Sequence, residues 1–225
     1  IDTVLGWDIL PDFIIRAGIR KLLRQRLKDE RATNPAARLQ KVSQFADELK
    51  KLPVAIETKA ANEQHYEVPA AFYQLCLGPR LKYSSCFYPQ GDESIKVAEE
   101  TMLELTCSRA ELKDGQKILE LGCGWGSLTL WMAEKYPHAQ ITSVSNSASQ
   151  REYILDQCKI RGYNHVTVIT CDMNQFSISP STFDRVVSVE MFEHMKNWQE
   201  LLRRISTWLK PDGKLFFHIF THRDC

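Results

Sequence analysis

At 225 residues, 44% hydrophobic and 25% charged, the chain has the make-up of a soluble globular protein, one domain or one domain with an appendage. A formal net charge of +1 excludes a global field selecting nucleic acid or a membrane, although residues 1–60 carry 12 Lys/Arg against 8 Asp/Glu and the rest 17 against 20. Seven cysteines, odd in number and without a C-x-x-C pair, argue against a disulfide framework or a zinc site and for a reducing, cytoplasmic setting.

The chain opens on Ile1 without the charged-then-apolar leader of a secreted protein, and no apolar run is long enough to cross a bilayer. Ile14, Ile15, Ile19, Leu22, Leu23 and Leu27 recur at helical spacing, with Arg16, Arg20, Arg24 and Lys28 on the other side. That basic face is either solvated or a peripheral contact with anionic lipid. A second helix starts at Asn34-Pro35, carries Leu39, Val42, Phe45, Ala46 and Leu49 on one face, and stops near Pro53. Pro69 opens a short helix, and Asp92-Glu-Ser-Ile a longer one through Leu105.

After Gly115 strands and helices alternate. Strands are predicted at 117–121, 140–144, 165–170, 183–189 and 214–220. The helices between them cover 127–136, a stretch from the capping box Ser147-x-x-Gln150 to Gly162, and 198–209, the last ended by Pro211-Asp-Gly213. This alternation predicts a parallel α/β sheet wound on both faces. Residues 1–60 then form a helical N-terminal subdomain, 61–114 a second helical segment, and 115–225 the core. Ile1 and Cys225 both read as cut ends, the latter just past a strand-like run.

Between the first predicted strand and its helix lies Glu120-Leu-Gly-Cys-Gly-Trp-Gly126. Glycines let the turn tighten and let backbone approach a ligand without Cβ clashes. The spacing G-x-G-x-G differs from the dinucleotide form G-x-G-x-x-G. It fits a cofactor without a pyrophosphate, S-adenosylmethionine, with Gly122, Gly124 and Gly126 lining it and Glu120 suited to its ammonium group. The second strand ends in Ser143-Val-Ser-Asn-Ser147 without the acid that usually meets ribose. Ser145, Asn146 and Gln150 either take that place or only cap the helix. Asp172, past the third strand, is an adenine-edge acceptor or a turn former.

His65-Tyr66, Tyr83-Ser-Ser, the glycine loop and Met191-Phe-Glu-His194 together resemble the cyclopropane-fatty-acid synthase family of S-adenosylmethionine-dependent methyltransferases. Asn62 to Glu67, Ser143 to Ser147 and Glu190 to Lys196 are most similar to its alkaloid (coclaurine-type) N-methyltransferase branch. The resemblance covers roughly residues 61–222. It implies a Rossmann-like class I methyltransferase sheet lacking its last strands in this chain, with residues 61–114 as a lid over cofactor and substrate. It further implies cofactor contacts at Tyr83, Ser84, Ser145, Gln150, Asp172 and Met173, and Glu193, His194, Glu190 and Glu67 at the substrate.

Methyl transfer from a sulfonium leaves a neutral thioether and needs no acid, whereas a protonated amine acceptor needs a base. His194 is expected to take that proton, with Glu193 orienting it or binding the cationic amine. The competing reading has the pair capping the next helix. His218, within Leu-Phe-Phe-His-Ile-Phe, is a further candidate, since the lipid-modifying branch has a histidine there near an anion. Three functions follow: methylation of a small amine; methylene transfer to an unsaturated phospholipid chain; or cofactor binding by an inactive fragment.

Overall fold

The computed structural model describes residues 10–31, 34–56 and 68–221. The chain divides into two units, one of residues 1–48 with 221–225 and the other Leu49–Phe220.

The first unit contains α1 (Asp12–Glu30) and α2 (Pro35–Leu49, whose last residue falls across the boundary). Neither helix has a buried residue, and Phe13, Leu22, Leu27, Leu39, Val42 and Phe45 are all exposed. Asn34 Oδ1 accepts the Ala37 N–H at 2.9 Å, so the predicted cap at the start of α2 forms. Among the described residues no helix is long and apolar enough to cross a membrane.

The second unit opens with α3 (Ala70–Cys76) and α4 (Ile95–Arg109), then builds a sheet of five parallel strands. These are β1 (Lys117–Leu121), β2 (Gln140–Ser145), β3 (Val166–Thr170), β4 (Phe183–Val189) and β5 (Leu209–His218). Between them lie α5 (Ser127–Lys135), α6 (Ala148–Arg161) and α7 (Trp198–Trp208). The strand order β3-β2-β1-β4-β5 reverses direction between β1 and β4. In an open parallel sheet that reversal leaves a crevice at the carboxyl edge, where ligands bind.

Covering the sheet on both faces explains why its strands read as near-continuous apolar runs. Ile118, Leu119 and Leu121 of β1 are all fully buried. Ile118 joins Leu103, Met132 and Ile141 in one layer; Leu119 and Leu121 join Phe176, Phe192, Leu201 and Trp208 in the other. Residues near 50–56 lie along the second layer, where Asn174 bonds both the N–H and the C=O of Ala55, at 3.0 and 2.9 Å.

Three local expectations are corrected. Helix α4 opens at Ile95, within the predicted start and capped by Ser94, but runs past Leu105 to Arg109. Strand β5 begins at Leu209 rather than Lys214: Leu209 pairs with Phe183 and Lys214 with Arg185, so Pro211-Asp-Gly213 bulges out of a continuing ladder. Only half of the capping box forms. Ser147 Oγ accepts the Gln150 N–H at 3.4 Å, but the Gln150 side chain accepts from Ser145 Oγ at 2.6 Å instead of returning to Ser147.

Candidate active site

The glycine loop leaves β1 at the switch point. The Gly122 and Cys123 N–H groups both donate to the Val144 carbonyl at 3.0 Å, and Gly126 N–H to Cys123 O at 2.9 Å, closing a tight turn onto β2. Gly122, Gly124 and Gly126 have φ of 79°, 51° and 80°, the left-handed region that costs an L side chain about 1–2 kcal/mol. Their surroundings differ. A Cβ on Gly126 would lie 2.6 Å from Ile154, and one on Gly122 2.8 Å from Met191, whereas one on Gly124 would meet nothing within 4 Å. Gly124 therefore leaves backbone open for close approach by a ligand, which is the fit an S-adenosyl cofactor requires.

Glu120, at the end of β1, is engaged by hydroxyls of two neighbouring elements. It is 3% exposed, and its Oε2 accepts from Thr129 Oγ1 at 2.5 Å and Ser143 Oγ at 3.0 Å. These bonds tie β1, β2 and α5 together below the loop. Burial drives its carboxyl pKa up to about 7, against the pull of the two hydroxyls.

At the end of β2, Ser145 and Gln150 are bonded to each other and buried, with Ser145 Oγ also accepting the Ser147 N–H at 3.0 Å. Asn146 is half-buried beside them. At the end of β3, Asp172 Oδ1 accepts the Asn174 N–H at 2.7 Å and its carbonyl accepts from Gln175 and Phe176, so Asp172 does form a turn. Met173 is buried behind it.

Phe192–His194 after β4 is a short 3-10 turn, and helix α7 is capped by Asn197, whose Oδ1 accepts the Glu200 N–H at 3.0 Å. The expectation that Glu193 and His194 cap that helix is thereby corrected. His194 is exposed. Glu193 is half-buried: Oε1 accepts the Phe220 N–H at 3.2 Å, and Oε2 is buried without a partner among the described residues. A carboxylate oxygen shielded from water with no donor is costly, and it favours a cationic or N–H-bearing ligand.

Glu190 has φ 52° and donates its N–H to the His218 carbonyl at 2.8 Å. Its carboxylate accepts from the hydroxyls of Ser84 and Ser85, the latter also at positive φ (58°). Burial pushes the Glu190 carboxyl up, but the two hydroxyls, with Lys82 and His218 close by, hold it below the ordinary carboxylate value. Ser84 and Ser85 belong to an irregular segment, residues 77–86, here called the strap. Tyr83, on the strap, is 71% exposed and tilts against Tyr73, with ring centres 5.9 Å apart. Trp125 of the glycine loop is buried against Tyr73 and Leu81, so the strap packs on the loop. Glu67 lies outside the described residues.

The structure thus brings Ser84, Glu190 and His218 together on one side and packs the glycine loop against Met191 on the other. Sequence reasoning missed the Ser85 side chain and the buried Lys82, whose ammonium burial pushes down while Glu190, Cys86 and Glu99 oppose the shift. Both flank the Tyr83-Ser84 motif, which was the available signal.

A five-stranded parallel sheet in this order, with a glycine loop after its first strand, is the class I S-adenosylmethionine-dependent methyltransferase fold. Within that class the chain belongs to the family described as mycolic acid cyclopropane synthetase, whose profile matches residues 55–225. It is 37% identical over 219 residues to (S)-coclaurine N-methyltransferase of Thalictrum flavum subsp. glaucum, covering 97% of this chain and 60% of that one. It is 29% identical to cyclopropane-fatty-acyl-phospholipid synthase of Escherichia coli K12, covering 95% and 53%. The crystal structure of coclaurine N-methyltransferase bound to N-methylheliamine and SAH superposes with a TM-score of 0.85 at 36% identity, covering 94% of this chain and 61% of that one. The chain therefore spans just under two thirds of the length of these N-methyltransferases.

Proposed function

We propose that this chain is the cofactor-binding and catalytic part of an S-adenosylmethionine-dependent N-methyltransferase acting on a small amine. The observation that carries this reading is the buried Oε2 of Glu193, without a partner among the described residues, beside the exposed His194 on a turn whose neighbour Met191 packs against the glycine loop. S-adenosylmethionine supplies a methyl group on a sulfonium, and its loss leaves a neutral thioether. Gly122, Gly124, Gly126, Tyr83, Ser84, Ser145, Asn146, Gln150, Asp172 and Met173 hold the cofactor. Glu120 acts from beneath, by stiffening the loop's base.

Glu193 holds the ammonium form of the acceptor, and Glu190 adds negative charge that favours a cation. His194 would accept the proton from the acceptor nitrogen and so leave its lone pair free to act as nucleophile. General-base assistance of this kind is worth about 10²–10⁴-fold, and alignment of nucleophile and methyl contributes about 7–11 kcal/mol in favourable cases. The relatives' N-methyltransferase names support an amine acceptor.

The second reading is methylene transfer to an unsaturated phospholipid, supported by the family description and the bacterial relative. Exposed Arg16, Arg20 and Arg24 on α1, beside exposed Leu22 and Leu23, suit peripheral contact with anionic lipid. A cytoplasmic location fits the free cysteines. Incubation with methyl-labelled cofactor and separate panels of amines and phospholipids decides between the readings: label in an amine supports the first, label only in lipid overturns it. Calorimetric binding of cofactor without label transfer to either panel marks an inactive fragment.

A further inference from the structure

Glu99 on α4 is fully buried and belongs to none of the motifs above, yet it grips the strap. Its Oε2 accepts the Arg80 N–H at 2.9 Å and its Oε1 the Lys82 N–H at 3.0 Å. Gly78 is pressed against the same carboxylate, where a Cβ would lie 2.4 Å from Oε2. Between the two bonded amides, Leu81 adopts φ 50° and buries its side chain against Tyr73 and Trp125. Three residues beyond Lys82, Ser85 adopts φ 58° and, with Ser84, donates to Glu190. Two non-glycine residues at positive φ in five positions persist only where surrounding contacts over-determine them.

We propose that Glu99 is a positioning residue: its carboxylate sets the strained course of residues 78–85 and so delivers the Ser84 and Ser85 hydroxyls to Glu190 and Tyr83 to the cofactor side. The residue type follows from the donors. Two buried N–H groups on alternate residues need two acceptor oxygens, which a carboxylate offers. Glutamine keeps one and points an NH₂ at the other amide. Aspartate is one methylene short. This assignment rests on the functional reading above only for its catalytic consequence.

The test is a cycle of Glu99→Gln, Ser84→Ala/Ser85→Ala and their combination. It is read by calorimetric affinity for S-adenosylhomocysteine and by amide hydrogen exchange. Glu99→Gln should weaken binding roughly tenfold or more, the loss of a charge-assisted bond. It should speed exchange across residues 78–86 while β1 and β4 stay protected. In the Ser84→Ala/Ser85→Ala background the same change should cost little more, since the strap's endpoint is already gone. Unchanged affinity and exchange, or an equal loss in both backgrounds, overturns the proposal. Should Glu99→Gln fail to fold, Gly78→Ala displaces the carboxylate instead and is judged by the same criteria. A wild-type chain that binds no S-adenosylhomocysteine sinks the cofactor reading, and the exchange comparison still decides whether Glu99 holds the strap.

Discussion

Replacing Glu120 by glutamine should make the protein more stable at neutral pH and leave it little changed in acid. Glu120 is completely buried among Thr129, Ser143 and apolar side chains, and its carboxyl titrates near 7 instead of 4.5. Below pH 4.5 the folded and unfolded chains both carry the proton and the group has no effect. As pH rises from 4.5 to about 7 the unfolded chain releases a proton that the folded chain retains, so stability falls. At about 1.4 kcal/mol per pH unit, the loss accumulates to about 3 kcal/mol and is constant above pH 7. Glutamine still accepts from Thr129 and Ser143 and has nothing to ionise. Urea denaturation of both proteins from pH 4.5 to 8, followed by the fluorescence of Trp125, Trp131, Trp198 and Trp208, gives the difference curve directly. Other groups that titrate in this window cancel in it. A difference that is flat across the range, or that favours the wild type increasingly as pH rises, would refute the burial argument.

The loop glycines should separate stability from binding. Gly126→Ala meets both a positive φ and the fully buried Ile154 and should cost about 2–4 kcal/mol in denaturation. Gly124→Ala meets open space, so it should cost only about 1–2 kcal/mol yet weaken S-adenosylhomocysteine binding by about tenfold or more in calorimetry. Equal effects on binding at the two positions would contradict the assignment of the open side to the ligand. On the proposed mechanism, His194→Ala lowers kcat by about 10²–10⁴-fold, and the loss narrows at high pH, where the amine sheds its proton unaided. Turnover unchanged at all pH values removes His194 as the base. Ser147→Ala should lower stability by about 1 kcal/mol through loss of the α6 cap, measured by thermal melting, with no change in the unfolding cooperativity.

Much of the fold was legible because α/β alternation writes itself in short apolar runs separated by capped helices. β1, β4 and the start of α5 fall where the residues put them. Proline and glycine misled the reading at β5. Pro211-Asp-Gly213 is a strong local stop signal, but the ladder with β4 resumes beyond it, so pairing decided the boundary. Glu120 was placed at the ligand because an acid before a glycine loop invites that reading. What the residues did not show is its partners: in a strand buried on both faces, alternation cannot tell that hydroxyls from α5 and β2 meet its carboxylate. The clasp between Ser84, Ser85 and Glu190 was invisible for another reason. Positive φ at serine and glutamate has no compositional mark, unlike the same conformation at Gly122, and it is sustained by contacts about a hundred positions apart.

Gly122 links the two halves of the candidate site more directly than any catalytic side chain does. Its missing Cβ is the space occupied by Met191, the residue between Glu190 and the Phe192–His194 turn. The glycine loop after β1 and the turn after β4 that carries the proposed base are therefore in van der Waals contact through one side chain. Met191 is flexible enough to fill that gap without fixing it. A bulkier residue at 122 has to move the turn as well as the loop, so Gly122→Ala should lower kcat along with cofactor affinity. Gly124→Ala, facing open space, should leave kcat at saturating cofactor nearly intact. Steady-state kinetics at varied cofactor concentration resolves the two. If both substitutions changed only the KM for cofactor, loop and turn would be mechanically independent and the packing at Met191 would have no bearing on catalysis.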